Sequence, residues 1–481
     1  MLSAAPSGDA SLFSRAHLRT IALLGGGKLA QMVAALVTLR VMTALLGPAE
    51  VTTVSQLSSI AGLAYGVFFY PVITYFIRHK QEWQDNGILY GHLLKYVRYT
   101  LILACVYGVI VAVLQIFHPL VTGVSVAASG LIVALLTATL AFSAMGTGGL
   151  NVTHHRRLYV AFNNLGVWST ALLGAALFLL VSPIAISWSV GAGLGQTLAS
   201  LSFLFLLGFA MRHTAAVKEA LPLRRIAQFA STQAIAFALW WLMSQSYRFT
   251  LGGLNFIETV GLIAASQMIT SQLVQAFAAV MGDFFMPRIM SREGASPASL
   301  EKFASAMLPA SILFGGVLAC IGPLLVQLLL DPKFHQVAYF ISVTAVIDTF
   351  WAVYNVSYMT CNARLDMRPT IWATLGGALL CLALVPLLTQ YLPPLPATLT
   401  AMLLGYGCMA ATSLYTMGRI MRLPWRRSLL AIALSLPVAA IAVPAYNGGL
   451  FLCLAALAGS GLCLLGGQLL LAKQWLRRRA A

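Results

Sequence analysis

Arg40-Val-Met-Thr-Ala-Leu-Leu-Gly-Pro-Ala-Glu50 sets an arginine inside an apolar run, with a glutamate ten residues later across a Gly-Pro turn. The arrangement returns as Arg248-Phe-Thr-Leu-Gly-Gly-Leu-Asn-Phe-Ile-Glu258. There too the arginine lies in an apolar run, a glycine-rich turn follows, and a glutamate stands ten residues on. In a chain of two related halves these are matching positions. Their meaning depends on where the membrane runs.

Of the 481 residues, 60% are hydrophobic and only 9% are charged, a composition outside the soluble globular range. The net charge of +17 falls in short clusters between apolar runs, a topology signal rather than a nucleic-acid footprint. A spanning helix needs about 20 mostly apolar residues. In that frame the expected spans are 20–46, 54–77, 93–117, 124–150, 159–182 and 188–211, then 228–252, 259–287, 303–330, 337–361, 369–391, 398–418, 428–446 and 449–472. The chain is therefore expected to be an all-α polytopic membrane protein of about 14 transmembrane helices.

The positive charges test this independently. With the N-terminus inside, 25 of the 29 Lys and Arg residues fall in inner clusters, from Arg15/Arg19 to Lys473/Arg477/Arg478/Arg479. Lys333 alone falls in an outer loop, and Lys28, Arg40 and Arg248 stay within spans. A missed helix would scramble that alternation, so both termini are expected on the cytoplasmic side. The expected divisions are a tail 1–19, a six-helix bundle 20–211, a linker 212–227, a second six-helix bundle 228–422, and two extra helices with a basic tail 423–481.

Charge inside a span is costly unless it meets protein, water or a partner. Arg40 and Arg248 are accordingly candidate substrate-binding residues. Lys28 either lines a wet cavity or reaches back to the inner interface. It precedes Arg40 by 12 residues, about 18 Å of rise and about 120° of rotation, so only a wide cavity meets both. Gln267, Ser271 and Gln275, spaced by four, make a polar stripe that serves either substrate or interhelical hydrogen bonds. Asp283 and Asp348, with Asn355 two turns beyond Asp348, are candidates for ion coupling or for partnering a basic residue. Catalytic, metal and cofactor sites are not expected.

Familiar motifs resolve in the same frame. Gly25-Gly26-Gly27-Lys28 lacks phosphate-loop spacing and reads as a site of close packing or bending. Gly191-x-Gly193-x-Gly195 lies in a membrane helix without a preceding strand and reads as a packing face. The seven cysteines show no CxxC spacing and read as small thiols within spans. Phe68-Phe69-Tyr70-Pro71, echoed by Phe284-Phe285-Met286-Pro287, predicts a bend near each proline.

Four short motifs carry a resemblance. Gly47-Pro48-Ala49-Glu50-Val51 and Ile257-Glu258-Thr259-Val260-Gly261-Leu262 look like the first and seventh hairpins of the MOP exporter superfamily. Leu329-Leu330-Asp331-Pro332-Lys333-Phe334 and Cys361-Asn362-Ala363-Arg364 are similar to that family's second half. Within it the chain most resembles the polysaccharide-transport flippases, the O-antigen and exopolysaccharide repeat-unit translocases. The resemblance implies two bundles around a central cavity, working by alternating access. It implies a lipid-linked oligosaccharide on a polyprenyl pyrophosphate as substrate, moved from the inner to the outer leaflet of the bacterial inner membrane. Polysaccharide polymerase and chain-length machinery are the partners it implies beyond the bilayer. An enzyme is not expected, because the expected outer loops are all too short to hold catalytic groups. The alternative is a MATE-like cation-coupled drug or metabolite antiporter. Three basic residues against Asp283 and Asp348 in the spans favour an anionic substrate.

Overall fold

The computed structural model describes residues 15–121, 123–152, 156–211, 223–289, 296–364 and 366–420. Among them the secondary structure is all helical. α1 (Arg15–Leu45) is followed by α2 (Pro48–Ala64), a π-helical turn Tyr65–Phe69, and α3 (Tyr70–Asp85). Then come α4 (Leu89–Phe117), α5 (Val126–Val152), α6 (Arg156–Leu180) and α7 (Ala185–Met211). The second half contains α8 (Leu223–Gly253), α9 (Ile257–Ile289), α10 (Pro297–Leu329), a 3-10 segment Pro332–Tyr339, α11 (Ile341–Arg364), α12 (Arg368–Leu388) and α13 (Pro394–Ile420).

Among the described residues ten helices are long and apolar enough to cross a membrane; Pro332–Tyr339 with α11, bent by 67°, brings the number to as many as 11. α7 takes the place of the sixth expected span, with side chains described as far as Leu201. The expected spans 428–446 and 449–472 lie outside the described residues, as do most of the linker, 212–222, and the tail up to residue 14. α8 starts at Leu223, five residues ahead of the expected 228.

Local chemistry sets the breaks. At the first turn Pro48 opens α2, where its missing N–H costs nothing, and Glu50 Oε2 accepts from the Gly47 N–H at 2.8 Å. Glu258 occupies the matching first turn of α9, where the helix dipole favours a carboxylate. The turn before it is made by Asn255, whose φ of 64° is left-handed. Ahead of Pro71, which has no N–H to donate, the helix widens into the π turn, and Tyr70 N–H reaches back to the Tyr65 carbonyl. The hydroxyl of Tyr99 donates to the Phe68 carbonyl at 2.8 Å.

The helices sort by their neighbours. In the first half α6 packs on α1 and α7, and α5 on α2, α4 and α7; in the second, α12 packs on α8 and α13, and α11 on α9, α10 and α13. Gly191 and Gly195 bring α7 against α6: a Cβ would stand 2.2 Å from the Leu173 carbonyl oxygen and 2.3 Å from that of Ser169. Small residues allow that approach where apolar lipid supplies no hydrophobic drive. The halves meet where α9 lies against α1 and α2, and where α8 lies against α2, the π turn and α3. An apolar cluster seals this seam at the end carrying the 46–48, 254–256 and 330–340 turns. It joins Leu46, Val51 and Val54 to Leu262, Leu330 and Phe334.

Lys80, grouped by sequence with the inner-surface charges, is 1% exposed. It lies beyond the Pro48–Ile77 span, and burial pushes its ammonium down to about 8.

Candidate functional site: two arginines at the seam

Arg40 and Arg248 both reach across the seam. Arg40, on α1, is exposed, and its Nη1 donates to the Leu330 carbonyl at the C-terminal end of α10. Nearby, Lys333 Nζ donates to the Ala44 carbonyl at 3.3 Å. Arg248, on α8, is buried. Its Nη1 donates to the Ser55 carbonyl at 2.8 Å and to the Ser59 hydroxyl, both on α2, and its Nε faces the Tyr247 hydroxyl oxygen at 3.2 Å. The contact is reinforced from both sides. Gln56 Nε2 donates to the Arg248 carbonyl at 3.2 Å, Trp241 Nε1 to the Ser59 carbonyl at 2.8 Å, and Ser59 Oγ to Gln245 Oε1 at 2.9 Å. A guanidinium suits this place because its planar fork serves several acceptors at once while staying charged.

The network runs inward from Arg248. Tyr247 donates its hydroxyl proton to Gln267 Oε1 at 2.8 Å, and Gln267 Nε2 lies 3.7 Å from Met402 Sδ. The Thr270 hydroxyl lies 3.5 Å from the Gln267 carbonyl oxygen. On α11, Asp348 Oδ2 accepts from the Thr270 hydroxyl of α9. Tyr406 of α13 lies beside Asp348 and Ser244. The second half thus holds one connected polar patch, from the seam to a carboxylate.

The remaining candidates separate. In α9 the stripe passes from Gln267, engaged by Tyr247, through half-buried Ser271 to exposed Gln275. Asn355 is half-buried on α11. Asp283 lies on α9, with its side chain outside the described residues. Lys28 belongs to the first half. Its Nζ lies 3.3 Å from Gln31 Oε1 and 5.4 Å from the centre of the Tyr159 ring. Beside it, Asn164 Nδ2 donates to the Gly27 carbonyl at 3.2 Å.

Sequence reading did not find Ser55, Gln56, Ser59, Tyr247 or Thr270. One signal was available: Ser55, Gln56 and Ser59 put three polar groups at positions i, i+1 and i+4 of a membrane-spanning helix. Their partner, Arg248, is far away in sequence, and only the tertiary fold brings it there.

No protein-family model matches the sequence, and no curated protein is similar enough to it to carry an argument. Solved structures do match. The lipid II flippase MurJ in an inward closed conformation superposes with a TM-score of 0.66 at 11% identity, over 94% of this chain and 99% of that one. The eukaryotic MATE transporter AtDTX14 gives 0.58 at 13% identity, over 87% and 98%. An inward-facing multidrug resistance MATE family transporter of the MOP superfamily gives 0.59 at 13% identity, over 82% and 98%. At such identities the likeness is one of fold, and it spans nearly the whole of each transporter. The chain has the fold shared by the lipid II flippase MurJ and these MATE transporters.

Proposed function

We propose that the chain is a flippase that carries a polyprenyl-pyrophosphate-linked oligosaccharide from the inner to the outer leaflet by alternating access, for cell-surface polysaccharide synthesis. The observation that carries this reading is Arg40: an exposed arginine within the membrane-spanning stretch Gly25–Leu45, at the seam between the two halves. A diphosphate must cross a region of low dielectric, and a cation reachable from between the bundles lowers that barrier while the lipid tail stays in the bilayer. Lys28, on the same helix and also partly exposed, adds to the field. Ser271 and Gln275 supply neutral hydrogen-bonding groups for sugar hydroxyls. MurJ, a lipid II flippase by its name, supports the substrate class. The bundles are 20–211 and 228–422, joined by the 212–227 linker. Both termini face the cytoplasm of a bacterial inner membrane, and polymerase and chain-length proteins take the product.

The second reading is a cation-coupled antiporter. Asp348, held by Thr270 inside the second half, favours it, as does the fold shared with MATE transporters. A binding measurement separates the two. A short polyprenyl-pyrophosphate sugar is expected to raise the melting temperature of the purified full chain, and Arg40→Ala to abolish that shift. Stabilisation by a lipophilic organic cation instead, lost in Asp348→Asn and kept in Arg40→Ala, would establish the antiporter.

A further inference from the structure

We propose that Arg40 and Arg248 form a reciprocal clasp that holds one end of the molecule shut, each arginine from one half donating to the other half. The inference rests on the two-bundle reading given above, and goes beyond it in assigning the arginines a gating role distinct from substrate binding. They occupy matching positions, each ten residues ahead of a glutamate in the first turn of the next helix. Their bonds are reciprocal in space. Arg40 of α1 reaches Leu330 at the end of α10, whereas Arg248 of α8 reaches Ser55 and Ser59 of α2.

The acceptors suit a cation that must let go. Leu330 caps α10, where the terminal carbonyls have no intrahelical partner and the negative end of the helix dipole lies. Ser55 offers the second lone pair of a carbonyl already inside a helix, and Ser59 a hydroxyl. Neither arginine faces a carboxylate across these contacts, so neither bond carries the Coulomb attraction of an ion pair. The surrounding seal is apolar, with Leu46, Val51, Val54, Leu262 and Phe334. Thr52 Oγ1 donates to the Ile257 carbonyl at 2.6 Å across the same seam. The two sides differ in one respect: Arg40 is exposed and Arg248 is buried. An anion therefore meets Arg40 while the end is closed, and meets Arg248 only after α2 and α8 have parted.

Hydrogen exchange on the full chain in lipid nanodiscs tests the clasp, with no substrate present. Ser59→Ala is expected to speed exchange over 48–60 and 248–262 by about tenfold for the loss of one charge-assisted hydrogen bond, and Arg248→Ala by at least as much, since it loses the bonds to Ser55, Ser59 and Tyr247. Arg40→Ala is expected to do the same over 40–48 and 329–340. Exchange in α4–α7 should stay at the wild-type rate. Ser59→Ala removes no charge, so it reports on the clasp even where Arg248→Ala fails to fold. Unchanged exchange at these segments, or acceleration spread evenly over the chain, overturns the proposal. A wild-type chain that moves no lipid-linked sugar while its variants still loosen there overturns the substrate reading and leaves the clasp standing.

Discussion

Arg248→Ala is expected to cut transport at least about tenfold, the consequence of losing about 1.4 kcal/mol from one conformational state. The expectation follows from what the side chain holds. It is buried, it donates to the Ser55 carbonyl at 2.8 Å and to Ser59, and it faces Tyr247 at 3.2 Å. Hydrogen bonds to a charged group contribute about 1.5–3 kcal/mol each. Truncation also removes the donor to the Tyr247 hydroxyl, which itself donates to Gln267. Arg248→Lys should restore part of the activity. A single ammonium keeps the charge but lacks the fork that serves α2 and Tyr247 together. Export of lipid-linked sugar in cells carrying each variant, at matched protein level, gives the comparison. Wild-type export in Arg248→Ala would show that the seam network is dispensable.

Gly261→Leu is expected to destabilise the protein by about 1–3 kcal/mol or more and to stop the two halves from closing at this end. A Cβ at Gly261 would stand 1.9 Å from the Pro48 carbonyl oxygen and 2.6 Å from its carbon. Backbone cannot turn away as a flexible side chain can, so α9 and α2 must separate. Gly253→Ala, at the same end of the molecule, is the control: an added Cβ there meets nothing within 4 Å. Thermal unfolding in detergent should show a lowered midpoint for Gly261→Leu and little change for Gly253→Ala. Equal midpoints for Gly261→Leu and wild type would mean that the close approach of α9 to α2 is not part of the stable fold.

Much of the fold was legible because a bilayer imposes a length on apolar runs and a side on positive charges. The expected span 93–117 became Leu89–Phe117, and 398–418 became Pro394–Ile420. Gly191 and Gly195 were readable as a packing face because few other residues permit carbonyl contact between membrane helices. The breaks within helices were less legible. Pro71 pointed to a bend, but a π turn at Tyr65–Phe69 depends on how the freed carbonyls find donors such as Tyr99. The 67° corner before α11 has no comparable local signal beyond Asp331-Pro332.

The site was legible in its charges and not in their partners. Arg40 and Arg248 stood out because charge in an apolar run is costly. That Arg248 would be buried against Ser55 and Ser59, and Asp348 against Thr270, depends on contacts across long stretches of chain. Lys80 shows the opposite failure. Its place among Arg78 and His79 suggested solvent, whereas the fold buries it. The Arg-x9-Glu repeat thus records one shared design at two turns. Glu50 caps its helix through the Gly47 N–H, and the arginines span the seam.

The most direct test of the flippase reading is a leaflet-sidedness assay. The purified full chain is placed in liposomes with a fluorescent polyprenyl-pyrophosphate sugar, and the label in the outer leaflet is destroyed by an impermeant reductant. The account predicts that the wild type exposes label from the inner leaflet and that Arg40→Ala does so at least about tenfold more slowly. Label that stays protected in wild-type liposomes, as it does in protein-free ones, would contradict it.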